Sequence, residues 1–327
     1  AALADVSVAT VSYVLNGRSD RRVGEATRQR VLEAAAQLSY APNHAARSLK
    51  QRRTERICLV VGSIGVPIYD KLTEDLHAVA DETGYGVLTM VVNSGDRARK
   101  AIDSLHQGIA DAALIATTPQ LFAELSLDTL ARSGFPLMVV GNHCEPDGFD
   151  VMRAPETAAC AQALDHLVAG GKRRIAFIGH RGDFESGARS ERLDSYRSAV
   201  RRHGLPGDPD LAVDGADGRV SGYRAAERLL KLPQPPDAVF VASDRAAISA
   251  IWAARDAGLR VPQDVAVVGA GNIPEGQISN PPLTTVGLNS PDYTPAARLL
   301  FERLRSQDSP PGRTLTAPWT FIRRGSA

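Results

Sequence analysis

Cysteine is scarce in this sequence: Cys58, Cys144 and Cys160 are odd in number, far apart, and in no C-x-x-C or Cys/His ligand pattern. Neither a disulfide framework nor a zinc site is supported, and buried structural thiols are expected. Long apolar runs are missing as well. None approaches the roughly 18–20 residues that span a bilayer, and no charged-then-apolar leader precedes a cleavage site, so no membrane partner and a cytoplasmic protein are expected. Catalytic signatures are also wanting. GAGNIPEG (residues 269–276) begins like a dinucleotide fingerprint, but its third Gly comes too late and Pro274 interrupts the helix that would receive a pyrophosphate. There is no G-x-x-x-x-G-K-S/T, H-E-x-x-H or G-x-S-x-G, and the 7 His residues are dispersed. Neither an enzyme nor a metal or cofactor is expected.

Net charge is nearly absent too, at +1, but its distribution is uneven. Residues 1–56 hold 10 Lys/Arg against 5 acids, and the remainder holds 28 against 32. A basic head on a mildly acidic body is the electrostatic footprint of a small DNA-binding unit on a non-binding domain. At 327 residues, with 43% apolar and 23% charged side chains, the chain is an ordinary globular composition spread over two or three domains.

What is present near the start is VSVATVSYVLNG, residues 6–17. It reads as a tight turn and a short helix, with Ser7 placed to accept from a free helix N–H. Val6, Val11, Val14 and Leu15 give one apolar side; Val8, Ala9, Ser12, Tyr13 and Asn16 point away. Small or β-branched Val8, Ala9 and Thr10 at the front let such a helix enter a groove, as the recognition helix of a helix-turn-helix unit does. Residues 1–4 read as the end of a first helix whose beginning is absent. Residues 18–24 form a basic loop suited to phosphates. A third helix is expected over residues 25–38, packing through Ala26, Val31, Ala34, Ala35 and Leu38, with Pro42 stopping it. NHAARSLK (residues 43–50) is helix-competent but too poor in apolar residues to fold alone, as in a hinge.

ALADVSVATVSYVLNG followed by TRQRVLEAAAQLSYAPNHAARSL resembles, in order and spacing, the head of the lactose-repressor (LacI/GalR) family of bacterial transcription regulators. The resemblance implies a head over residues 1–41 and a hinge over 42–55 that becomes helical on double-stranded operator DNA. There Leu49 would enter the minor groove as an apolar wedge, Ala46 would face the partner hinge, and Asn43 and Arg47 would join Ser7, Val8, Ala9, Thr10, Ser12, Tyr13 and Asn16 at the DNA. Asp5 stands where the family usually has Gly at a turn of positive φ, which Asp tolerates. Gly24 stands in place of a capping Ser. Tyr13 replaces a common Arg, so apolar contacts to thymine methyls and one phenol hydrogen bond are expected in place of guanine readout.

Beyond residue 56, apolar runs at residues 57–62, 86–92, 112–116, 136–141, 174–179, 238–242 and 265–269 alternate with helix-like segments. Buried parallel strands with covering helices follow. HLVAGGKRRIAFIG, VPQDVAVVG and NPPLTTV resemble the periplasmic-binding-protein-like core of the same family. The fold class is therefore α/β: an all-α helix-turn-helix head plus two doubly wound parallel-sheet subdomains. The expected subdomains are residues 56–170 with 290–312, and 171–289 with 313–327, the chain crossing near Gly170, Asn289 and Gly312.

Ligands of open parallel sheets lie at the carboxyl ends of the strands. Thr117, Ser243, Asp244 and Asn272 follow such ends. The resemblance adds Tyr69 as the family's effector-lining aromatic, Arg192 as its effector-binding Arg, and Asp217 where some relatives place an aromatic. Pro155 and Glu156 stand where relatives commonly have Asp-Asn. Fewer fixed negative charges are expected beside Arg192, which leaves sugar and small organic or phosphorylated anion both open as the effector. The function implied is a repressor acting as a homodimer, since nothing after the last apolar strand resembles a leucine-heptad tail. The alternative is a solute-binding protein of the same core fold, which lacks the basic head and has a signal peptide.

Overall fold

Four small apolar residues, Ala4, Val14, Val31 and Ala34, form the core of the N-terminal part of the chain. The computed structural model describes residues 1–15, 23–40, 53–118, 121–122, 125–185, 190–306 and 311–327, and the chain divides into two units, Ala1–Glu55 and Arg56–Ala327. In the first, Ala2–Ala4 is a single 3-10 turn, and Asp5 follows at φ 48° and ψ 53°. Helix α1 (Val8–Leu15) begins after Ser7, whose Oγ accepts from Thr10 N at 3.1 Å. Helix α2 (Glu25–Gln37) starts at Gly24 without a side-chain cap. Ala26 and Leu38, expected to pack, are exposed. The short α1 and one 3-10 turn cover a single face of α2, the one carrying Val31 and Ala34. The expected hinge, with Asn43, Ala46, Arg47 and Leu49, lies outside the described residues, as does Asn16.

The second unit contains two six-stranded sheets. The first is built from β1 (Arg56–Val61), β2 (Gly86–Val91), β3 (Ala112–Ala116), β4 (Leu137–Val140), β5 (Asp150–Arg153) and β11 (Thr314–Thr316), in the order β11-β5-β4-β3-β1-β2. Every pairing in it is parallel. Ile57, Leu59 and Val61 face helices α3 (Pro67–Thr83) and α11 (Thr294–Arg305), while Cys58 and Val60 face α4 (Gly95–His106) and α5 (Leu127–Arg132). Cover on both faces is why the strand reads as continuous apolar sequence.

The second sheet comprises β6 (Ile175–Gly179), β7 (Ala212–Asp214), β8 (Ala238–Val241), β9 (Ala266–Ala270), β10 (Thr284–Gly287) and β12 (Thr320–Ile322). Its order is β12-β10-β9-β8-β6-β7, with only β12 antiparallel to its neighbour. Its helices are α6 (Thr157–Ala169) against α7 (Glu191–Arg202), α8 (Arg219–Leu230) against α9 (Asp244–Asp256), and the short α10 (Pro274–Ile278). Cys58 and Cys160 are buried free thiols, pushed by burial up to about 12; Cys144 is only half-buried.

The chain passes between the sheets at residues 154–156, 288–292 and 317–319. Two of these differ from expectation. The first crossing precedes α6, well before Gly170, because α6 buries Ala159, Cys160, Ala163, Leu164 and Leu167 in the second sheet's core. The third follows β11, past Gly312, because Thr314, Leu315 and Thr316 pair with Val151, Met152 and Arg153 in the first sheet. The outer crossings are bound together: Ala317 N donates to Arg153 O at 2.8 Å and Trp319 N to Pro155 O at 3.0 Å.

Candidate nucleic-acid interface and effector cleft

Helix α1 separates its faces as its sequence spacing predicts. Val14 is buried, Val6, Val11 and Leu15 are half-buried against the same small core, and Val8, Ala9 and Ser12 are exposed with Tyr13 half-exposed beside them. Val8 is 75% exposed, a large fraction for a β-branched aliphatic at the tip of a helix. Thr10 turns back: its Oγ1 lies 2.9 Å from Ser7 Oγ in a hydrogen bond. Thr10 therefore supports the helix start, and the outward set reduces to Val8, Ala9, Ser12 and Tyr13.

In the second unit the two walls of the cleft differ. On the first-sheet side, Gly62 follows β1, and a Cβ there would lie 3.3 Å from Tyr69 Oη and 3.4 Å from Thr117 Oγ1. The missing side chain is what lets the two hydroxyls approach the strand end. Thr117 Oγ1 is buried without a hydrogen-bond partner, an unmet need that a ligand hydroxyl could meet. Burial raises the Tyr69 phenol above its ordinary pKa, so it remains a neutral donor and acceptor.

The second-sheet side is charged but internally paired. Arg192, in the first turn of α7, donates from Nε (2.9 Å) and Nη2 (2.7 Å) to Glu156 Oε2, and from Nη1 to Ala242 O at 2.7 Å. The Trp319 ring lies under the guanidinium, its centroid 4.8 Å from Cζ. Burial works to lower the Arg192 pKa, and Glu156 more than reverses it, so the guanidinium stays charged. Burial likewise lifts Glu156 above the ordinary carboxylate range, against the Arg192 charge. The neighbouring Glu191 accepts from Asn142 Nδ2 (2.8 Å) and Thr157 Oγ1 (2.9 Å). The expectation of few negative charges beside Arg192 is thus corrected. Residue 156 reads as the loss of an Asp-Asn pair, yet its longer side chain delivers a carboxylate directly to the guanidinium.

The remaining sequence candidates divide. Ser243 is half-buried at the start of α9, with a hydroxyl that makes no capping bond. Asp217 is exposed at the end of β7; its Oδ1 is 2.8 Å from His180 Nδ1, and Oδ2 accepts from Arg181 N at 3.1 Å. The His180 bond holds its carboxyl below the ordinary range. Asp244 and Asn272 have their polar atoms engaged within the fold. Asp244, 1% exposed, accepts from Thr285 Oγ1 (2.6 Å) and Ile273 N (2.9 Å), and burial lifts it to about 6. Asn272, at φ 53°, donates to Leu288 O at 2.8 Å and accepts from Arg324 Nη2 at 2.6 Å, fastening the second crossing. Gly287 permits this: a Cβ there would sit 2.7 Å from that of Asn272.

Sequence reasoning missed Glu191, Asn142, Trp319 and Arg245. The last donates across the cleft to Gly65 O, and its only sequence signal is a position in the first turn of a helix that follows a strand end. Among the described residues no group of three or more His, Cys, Asp or Glu could hold a metal ion, and no helix is long and apolar enough to cross a membrane.

Comparison with known proteins identifies two family matches: bacterial regulatory proteins of the lacI family over residues 1–43, and a periplasmic binding protein-like domain over residues 164–327. The transcriptional regulator CelR of Thermobifida fusca is 32% identical over 337 residues, covering 99% of this chain and 96% of its own. The ribose operon repressor of Escherichia coli is 32% identical over 289 residues, covering 88% of this chain and 86% of its own. The solved CelR–cellobiose complex superposes with a TM-score of 0.70 at 29% identity, over 100% of this chain and 98% of that one.

Proposed function

The chain belongs to the lacI family of bacterial regulatory proteins, and from that premise we propose that it is a repressor whose operator affinity is set by an uncharged polyhydroxylated effector in the cleft of the second unit. The observation that carries the effector class is the Glu156–Arg192 pair. An anionic effector would have to displace Glu156 from Arg192 and approach Glu191 as well, which costs Coulomb and desolvation energy. A neutral polyol needs neither. Of the five guanidinium N–H groups three are engaged, so two can donate to a hydroxyl, while Thr117, Tyr69 and Ser243 offer hydroxyls of their own. The cellobiose bound by the CelR relative is a molecule of this class.

At the other end, α1 offers Val8, Ala9, Ser12 and Tyr13 to the major groove, and the basic loop at residues 18–24 positions the head on phosphates. A homodimer sets two heads on a two-fold operator, with the hinge and Leu49 at the minor groove; double-stranded DNA as the partner makes the protein cytoplasmic. The effector alters cleft closure and with it the hinges. By linkage, operator must weaken effector binding by the same factor that effector weakens operator binding. A solute-binding protein of the same core accounts less well for residues 1–43.

The test is a thermal-shift panel of neutral sugars (cellobiose, ribose, glucose, sucrose) against sugar phosphates and small organic acids. A stabilisation by one or more neutral sugars that Arg192→Ala abolishes is expected, about 2.7 kcal/mol at a hundredfold excess over Kd. Stabilisation by the anions alone would overturn the effector class. An affinity for duplex DNA that is flat between low and physiological salt would overturn the nucleic-acid reading.

A further inference from the structure

Trp319 occupies the 317–319 crossing and packs against the hydrophobic cores of both sheets. Its ring stands 4.8 Å under the Arg192 Cζ, within cation–π range. Its backbone N–H donates to Pro155 O in the first crossing at 3.0 Å, and the next residue of that crossing, Glu156, holds Arg192 through Nε and Nη2. The guanidinium is thereby gripped by two of the three segments on which the sheets turn, one by ion pair and the other by an aromatic face. Glu156 Oε2 and Ala242 O hold the guanidinium at two points; rotation about the line that joins them is what the ring against its face limits.

We propose that Trp319 is a positioning residue that couples the orientation of the Arg192 guanidinium to the crossing segments between the two sheets. An effector hydroxyl that takes the unengaged N–H groups tilts the guanidinium plane, and the indole, which lies against the guanidinium and packs on both cores, carries the tilt into residues 317–319. For its biological sense the proposal rests on Arg192 as an effector contact, but the mechanical link is a property of the chain without ligand.

That link is read by amide hydrogen exchange at Ala317 and Trp319 in the ligand-free full chain. All variants carry Glu156→Gln, so that removing the Arg192 charge leaves no unpaired carboxylate. With Trp319 intact, Arg192→Met should speed exchange at both amides by between about twofold and thirtyfold, the range of cation–π strengths. With Trp319→Leu the same substitution should change exchange by less than about twofold, and Trp319→Phe should restore part of the response. Should Trp319→Leu fail to fold, Trp319→Met, flexible and without an aromatic face, serves in its place. Equal acceleration in the Trp and aliphatic backgrounds would show that the indole carries no coupling and overturn the proposal. A cleft that binds ligand without Arg192 would sink the effector reading and leave this outcome untouched.

Discussion

The head and the core bury different things. Among the described residues the head's buried set is Ala4, Val14, Val31 and Ala34, all uncharged, whereas the core encloses Asp75, Asp150, Glu156, Asp244 and Arg303. The difference follows from size. A unit with four buried side chains cannot offset the desolvation of an ion, and none of its described charged residues is buried. A core with two covered sheets can lock ions into networks. Asp150, with 0% exposure, accepts from Arg303 Nη2 (2.8 Å) and Nε (3.2 Å), and from Arg313 N (2.8 Å) and Nη2 (3.0 Å). Salt should therefore act chiefly through the head, and pH chiefly through the core.

The sharpest way to break that contrast is Arg303→Met, which strips Asp150 of one guanidinium while leaving its charge buried. The core should lose about 3–5 kcal/mol in urea unfolding, and DNA binding by the folded fraction should be unchanged; a loss under 1 kcal/mol would mean that Arg313 alone satisfies Asp150. Burial pushes Asp150 upward, but the bonds from Arg303 and Arg313 overcome it, so its pKa is depressed. Its stabilisation is present at neutral pH and is lost as pH falls below the ordinary carboxylate range.

Asp244 has the opposite sign. Its folded pKa is raised by burial from 3.8 to about 6, so the folded state binds the proton more readily, and Asp244 costs stability increasingly as pH rises from about 4 through 6. Asp244→Asn should accordingly stabilise the core at pH 8 relative to the parent by about 2–3 kcal/mol, with the advantage shrinking toward pH 4. A difference that stays constant across this window would mean that Asp244 does not titrate there. The smallest effect belongs to the head. Ser7→Ala removes the cap of α1 and should cost about 1 kcal/mol, read as weaker DNA binding with the core's thermal midpoint unmoved; a shift of that midpoint would remove the independence assumed for the two units.

The parts legible in the sequence were those decided by local chemistry. Continuous runs such as ICLVV announce a strand covered on both faces, and the spacing of Val6, Val11, Val14 and Leu15 announces the buried side of α1. The left-handed turn at Asp5 was legible only through the resemblance, in which Asp5 stands where the family has Gly. The illegible parts depend on distant partners. TLT at residues 314–316 carries no strand signal until it is seen beside β5, and the apolar face of α6 does not say which sheet it covers. Asp244 begins a helix after a strand end, a place that suits a ligand contact and a structural cap equally. The reach of Glu156 to Arg192 needed the fold to bring residues 36 positions apart together.

The interleaving of β11 and β12 with the two sheets bears on how the chain is made. Synthesised from the N-terminus, β5 waits with one edge unpaired while some 160 residues follow before residues 314–316 can pair with it, an interval on the order of ten seconds or more at ribosomal speeds. β10 waits more briefly for residues 320–322. Neither sheet is complete until the last strands of the chain have been made. Until those strands emerge, β5 and then β10 each carry an open edge to which a neighbouring nascent chain could add. The first 40 residues carry no such debt, so the head can fold long before the switch that governs it exists.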